Sequence, residues 1–517
     1  GGGAVTTRVQ GPAWAVEGLG VRAGKYPLAV EGPVMRAVDR LVPGVSTVTR
    51  YIRYHSLYAA IAAHAERKAL DLVACRRLVR RCEVLMAALH RDAETAEDTW
   101  FPHGVDRVRR FRTQELDLAR AADEENLNQS YSPRRWGFWD QYGGSATVLR
   151  TVEVRDGALR PGRHPCPAAL RELFAPLLSL AERDVVPLDE LDRAGQAALG
   201  VPSPAEQDWL TRVLTATDSG GRHAPRDWEA SDRTRRAAFR ILARAIVLHG
   251  RDGQDHQETL RSAVAFGQEV TTDPVLSAIP ETAGWRGLLL RHYSVGAWRR
   301  LWSALVSSIG SKEGEADRTA QELRDWLAEQ APAGDVRGVL RDLPPLQGPG
   351  GVLLPAEQRL LETGDGGPMT DVRLLLVGAL RSREGHLPDD VRAVFLGRQR
   401  RSAEFLDPTW VDGLIHDYGD RPVRDLAARL VDDMLAQSRR VALAKLRTDP
   451  ATGGLKIFSR LHVRNERYFK TGDEGDADIG TRIPQLGFFG RQLGLFVVRD
   501  GCHIVTERGL GILEAGR

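Results

Sequence analysis

The most constraining feature of this chain lies near its end. Asp500-Gly501 stands between two short β-prone runs, 495–499 and 502–506. Asp-Gly in that setting predicts a two-residue hairpin turn, because such a turn needs positive φ at both central residues and these two tolerate it. Just upstream, Ile483, Leu486, Phe489 and Leu493 recur at helical spacing, and Gly494 is placed to end that helix in the left-handed region. Glu507-Arg508-Gly509-Leu510 opens a further helix. Before this helix–hairpin–helix come strand-like runs at 455–461 and 466–470 and an acidic turn, Asp473 to Asp478.

This order resembles a winged-helix domain, with Val505-Thr506-Glu507-Arg508-Gly509 matching the usual exit from the wing. The resemblance covers 455–514. It implies a helix that enters a major groove and a wing that touches the backbone or minor groove. Carried onto this chain, it implies Thr481, Arg482, Gln485 and Arg491 as groove-facing residues, with Arg499 and His503 on the wing. The sequence departs from that pattern: the helix holds only two arginines, contains Pro484 and follows four acidic residues. Winged helices also serve as protein–protein adaptors.

Length sets the frame for the rest. A chain of 517 residues with 42% hydrophobic and 27% charged side chains is globular but too long for one core. No apolar run reaches the eighteen or so residues of a membrane span, so no membrane partner is expected. Gly1-Gly2-Gly3 lacks the basic start and apolar middle of a secretory signal, and Gly1 in place of Met reads as a processed or engineered end. A soluble cytoplasmic protein is expected. Four scattered cysteines, Cys75, Cys82, Cys166 and Cys502, form no Cys-x-x-Cys pair and are expected to be reduced and structural.

The net charge of +3 hides a gradient. Residues 1–120 hold 19 basic and 13 acidic side chains, 437–517 hold 14 and 9, and the middle holds 39 and 47. Basic ends suit contact with a polyanion. Arg abundance with scarce Lys also follows from GC-rich coding alone.

Helical periodicity dominates. Residues 1–45 are punctuated by Gly and Pro and read as an irregular lead-in. A helix follows over 48–70, with Tyr51, Tyr54 and Tyr58 on one stripe, and another over 71–90 with Arg76, Arg77, Arg80 and Arg81 opposite its apolar face. The polar, aromatic and Gly-rich stretch 126–147 reads as an ordered loop carrying Arg134-Arg135-Trp136, and a strand is expected over 147–154. Trp285 to Leu305 reads as a central core helix, with further helices near 370–380, 389–403, 408–417 and 421–446. The predicted fold is therefore mainly α: a multi-domain helical protein with a small α+β winged-helix domain at the C-terminus. Its expected parts are a basic helical domain over 1–165, an acidic helical domain over 166–345, a helical extension over 346–450 and the winged helix over 451–517.

No catalytic signature emerges. There is no Gly-x-x-x-x-Gly-Lys-Ser/Thr loop and no Gly-x-Ser-x-Gly elbow. His416-Asp417, Asp420 and Asp432-Asp433 superficially suggest an HD-type metal phosphohydrolase, but the further ligands such a centre needs are missing, and solvated charge is the simpler reading. No cofactor and no metal are expected. Arg134 and Arg135 beside aromatic residues form the best internal candidate for gripping a phosphate while a ring stacks on a base. The alternative is that Trp136, Phe138, Trp139 and Tyr142 only anchor the loop. The overall order is also similar to uncharacterised helix-rich proteins of bacterial restriction and phage-defence loci. The expected function is a non-catalytic, duplex-DNA-binding scaffold subunit of a multi-protein DNA-processing or defence complex, with other protein subunits as partners. A metal-dependent nuclease or phosphodiesterase and a protein-only, kleisin-like adaptor are the alternatives.

Overall fold

The computed structural model describes residues 20–22, 26–90, 100–310, 316–397, 405–448, 450 and 453–516. It is mainly α: twenty-two α-helices among the described residues stand beside five small sheets of two or three strands. Among the described residues no helix is long and apolar enough to cross a membrane. All four cysteines are free thiols, and all but Cys502 are buried.

The chain forms two compact units, each built from two separated stretches. One comprises Gly1–Val38 and Arg261–Thr481, the other Asp39–Leu260 and Arg482–Arg517. The segment 451–517 is thus divided, its strands belonging to the first unit and its helix–hairpin–helix to the second.

In the first unit the helix Thr282–Ser307 is buried on almost every side, its Arg286, Arg291 and His292 included. Helices Pro368–Ser382 and Asp389–Leu396 pack along it. Its fully buried Trp298 satisfies the indole N–H by donating to the Leu406 carbonyl at 2.9 Å. A second helix pair, Ala320–Ala328 and Val423–Ala444, packs beside two three-stranded sheets that include Leu455–Phe458, Leu461–Arg464 and Arg467–Lys470. The lead-in expected to be irregular contains a helix, Gly32–Leu41. Pro33 sits in its first turn, where a missing N–H leaves no hydrogen bond unmade.

The second unit contains the expected tyrosine helix, Ile52–Arg67, and its neighbour Leu72–Ala88, which Asp71 caps by accepting from the Ala74 N–H at 2.9 Å. The strand expected over 147–154 is corrected. Gly143–Leu149 is helical, with Ser145, Ala146 and Leu149 buried, and the strand begins only at Val152. Apolar residues here follow the helix period, which outweighs the β-branched Thr147 and Val148.

The helix–hairpin–helix forms as its local chemistry dictates. Helix Ile483–Gln492 ends at Gly494 with φ +74°, and Asp500 and Gly501 take φ +53° and +75° between strands Phe496–Arg499 and Cys502–Val505. Thr506 caps Glu507–Leu513 by accepting from the Gly509 N–H at 3.0 Å. This end docks on helix Ala230–His249, whose arginines at i, i+4 and i+8 hold the last residues. Arg236 pairs with Glu514 at 3.0 Å, Arg240 donates to the Leu513 carbonyl at 2.8 Å and Arg244 to that of Ala515 at 3.0 Å.

Candidate nucleic-acid interface

Six residues of helix Ile483–Gln492 are buried, including Ile483, Leu486 and Phe489. Phe488 packs against Tyr51 and Trp100, and Phe489 against His55. Gln492 has a capping role that no local pattern announces. Its Oε1 accepts from the Ile52 N–H at 3.0 Å and its Nε2 donates to the Arg50 carbonyl at 2.8 Å, completing the start of a helix whose own N-cap, Tyr51, offers no side-chain bond. Most of this helix is therefore a structural brace.

The residues implied by the winged-helix resemblance separate accordingly. Thr481 is 0% exposed, so the expectation that it faces a groove is corrected. Arg482 adopts φ +62° and pairs with Asp39. Gln485 is half-buried, its Oε1 without a hydrogen-bond partner among the described residues. His503 is half-buried with its ring centroid 4.1 Å from that of His256, and burial, reinforced by Arg491, holds its pKa below the ordinary value while Asp255 opposes. Arg491 and Arg499 alone of this set are exposed.

The internal candidate comes together more fully. The loop bearing Arg134 and Arg135 runs into a π-helical turn, Phe138–Tyr142, a rare element often found where side chains must be re-aimed. Phe138 and Tyr142 are buried against Tyr58 and Tyr54, with ring centroids 5.2 and 5.0 Å apart. Trp136 stacks on His103 at 4.5 Å, and His103 Nε2 shares a 2.8 Å hydrogen bond with Ser132 Oγ. Burial, then Arg80 and Arg134, lower the His103 pKa to about 4, so its ring is neutral near pH 7.

Arg80 and Arg81 correct another expectation: both are buried rather than displayed opposite the apolar face. Arg80 donates to Ser130 Oγ at 3.0 Å and to the carbonyls of Ser132 and Arg134 at 3.3 and 3.2 Å. Arg81 reaches the carbonyls of Ala181 and Arg183 and pairs with Asp184 at 2.7 Å. Loop carbonyls distant in sequence supply the acceptors that let these guanidiniums leave water.

Between Arg80 and the π-helical turn lies Glu83, fully buried. Its Oε1 accepts from the Phe138 N–H at 2.9 Å and the Tyr58 hydroxyl at 3.1 Å. Burial raises its pKa to about 8, against the opposing pull of the Phe138 N–H, Arg80 and Tyr58, so the carboxyl is largely protonated at neutral pH. Gly137 makes this approach possible: it takes φ +92°, and a Cβ there would stand 2.0 Å from Glu83 Oε1. Glu83 forms the floor of a cleft of about 190 Å³. Trp136 and Trp139 wall it, Arg76 and Arg135 are exposed at its mouth, and Glu124 and Asp140 stand at the rim. The Arg76 guanidinium lies 5.6 Å from the Trp139 ring centroid. Sequence reasoning named Arg135 and Trp136 but missed Arg76 as their neighbour and Glu83 beneath them.

The acidic residues considered for metal chemistry are dispersed. Asp420 pairs with Arg337 and Asp432 with Arg324, both at 2.6 Å, while Asp433 accepts from the Trp410 indole at 3.1 Å. Among the described residues no group of three His, Cys, Asp or Glu side chains is placed to hold a metal ion. No protein-family model matches the chain, and no curated protein or solved structure shows significant similarity to it.

Proposed function

We propose that this chain is a non-catalytic DNA-binding subunit that grips one unstacked nucleotide of a strand in the Glu83 cleft. The carrying observation is the convergence of two exposed guanidiniums, Arg76 and Arg135, on a cleft walled by two indoles over a carboxyl without charge. Guanidiniums beside aromatic rings serve a phosphate and a base together. At about 190 Å³ the cleft is smaller than the roughly 300–1,000 Å³ of drug-sized sites, which suits a single base and not a duplex.

We read the helix–hairpin–helix end as a winged-helix module that presents Arg491 and Arg499 to the phosphate backbone, in place of a helix buried in a groove. Duplex beside an exposed single strand is then the preferred ligand. A multi-protein DNA-processing or defence complex is the setting this reading carries.

Fluorescence anisotropy with labelled single-stranded, duplex and tailed-duplex oligonucleotides, from about 50 to about 200 mM salt, tests it. Affinity for single-stranded and tailed DNA should fall as salt rises, by about 0.7 in the log–log slope for each single-strand phosphate neutralised. Trp136→Ala should cost about 1–3 kcal/mol of single-strand affinity, and Arg135→Ala should shallow the salt slope. Absence of binding at the lowest salt, or binding indifferent to salt, sinks the reading.

A further inference from the structure

We infer that the first unit carries a binding site for an apolar α-amino acid, in the cavity formed by Leu28, Glu31, Arg299, Trp302, Arg460 and Glu474. This site lies wholly within that unit and is independent of the DNA-binding reading. Its volume is about 210 Å³.

The case begins with an acceptor that the fold leaves open. Glu31 is 1% exposed; its Oε1 accepts from Arg299 Nη1 at 2.8 Å, and its Oε2 has no hydrogen-bond partner among the described residues. Across the cavity lining, the Glu474 side chain is 7% exposed. Its Oε1 is likewise without a partner among the described residues, and its Oε2 stands 3.8 Å from Arg460. The buried Trp302 indole N–H helps hold down the Glu474 pKa yet does not reach hydrogen-bond geometry, and burial still raises that pKa overall. Buried polar atoms are nearly always satisfied. Two open carboxylate oxygens on one cavity therefore ask for a hydrogen-bond donor.

Both arginines are anchored in ways that leave donors over. Arg299 spends Nε on the Ala477 carbonyl at 2.8 Å and Nη1 on Glu31. Arg460 spends Nη1 on the Asp473 carbonyl. Among the described residues, Nη2 of each has no partner, so an acidic group can be received there, as a fork of guanidinium N–H groups receives a carboxylate. Glu474 is itself held by the Ser303 hydroxyl, which donates to its carbonyl at 2.8 Å.

Charge narrows the ligand. Two carboxylates and two guanidiniums balance, so a bare cation or a bare anion would leave one sign in excess inside a partly enclosed cavity. A zwitterion keeps the balance, its ammonium on Glu31 and Glu474 and its carboxylate on Arg299 and Arg460. Leu28 and the Trp302 ring, both buried, supply an apolar wall for its side chain.

Calorimetric titration and thermal melting of the intact chain test this with three probes of one shape: L-leucine, 3-methylbutylamine and 4-methylpentanoate. L-Leucine, or L-phenylalanine in a parallel titration, should bind and raise the melting temperature. The amine and the acid should each bind at least about tenfold more weakly. Glu31→Gln, which keeps the shape and removes the charge, should weaken L-leucine at least about tenfold, and Glu474→Gln provides the same test should the first variant fail to fold. The inference is overturned if neither amino acid binds at millimolar concentration, if either one-ended probe binds as tightly as leucine, or if a folded Gln variant keeps full affinity. Should neither variant fold, the comparison of the three probes on the unaltered chain still decides it.

Discussion

The two units each place carboxyl groups beside arginines and indoles in a small cavity, and they manage the burial in opposite ways. In the second unit Glu83 is met by neutral donors, the Phe138 N–H and the Tyr58 hydroxyl, and burial raises its pKa to about 8. Arg76 and Arg135 stand at the mouth beside Glu124 and Asp140, over a largely protonated floor. In the first unit Glu31 lies within 2.8 Å of Arg299, and Arg460 stands near Glu474, so opposite charges are buried together. The difference lies in what reaches the carboxyl first. At Glu83 desolvation outweighs the combined pull of the Phe138 N–H, Arg80 and Tyr58, whereas Glu31 is paired directly with a guanidinium.

The largest effect should come from stripping the charge partner. Arg299→Ala leaves Glu31 buried and unpaired, which should cost about 3–5 kcal/mol in urea denaturation. A loss under 1 kcal/mol would show that Glu31 is held by something other than this pair.

Next is the close approach at Glu83. Gly137→Ala should cost roughly 2–4 kcal/mol, because Ala is strained at φ +92° and its Cβ would overlap the Glu83 carboxyl. A near-neutral result would mean the π-helical turn shifts freely, and the neutral floor would lose its basis.

The smallest change per step, and the sharpest discriminator, is Glu83→Gln measured against pH. With a folded pKa near 8 and an ordinary one near 4.5, the folded state keeps a proton that the unfolded chain releases. Its contribution to stability is fully present below about 4.5 and is lost as pH rises through 8. Gln does not titrate, so the variant should gain on the parent by up to about 1.4 kcal/mol per pH unit across that window. A difference that stays constant with pH would show that Glu83 is ionised throughout.

What could be read in advance was local. The Asp500-Gly501 turn, the Gly494 helix end, the tyrosine stripe and the tryptophan-bearing core helix all announce themselves within a few residues, because turns, caps and helical faces depend on near neighbours. The site was legible only in part. Arg135 and Trp136 stand together in sequence, but Arg76 and Glu83 join them only once two helices and a loop have packed. Arg80 and Arg81 looked like a solvated face because their acceptors, chiefly carbonyls 52 to 102 positions away, carry no sequence mark. Glu31 lay in a stretch whose glycines and prolines hid a helix, and Glu474 in an acidic run that reads as a surface turn.

The Gln492 cap has a consequence in time as well as in space. It serves a helix that begins 440 positions earlier. The arginine row of helix Ala230–His249 likewise waits for Leu513, Glu514 and Ala515. Until Gln492 and Leu513 to Ala515 are made, a growing chain therefore carries a tyrosine helix with an open first turn and an arginine row short of these acceptors. Folding of this unit should therefore wait for residues 492–515, and chains halted before residue 492 should be preferred clients of chaperones and proteases.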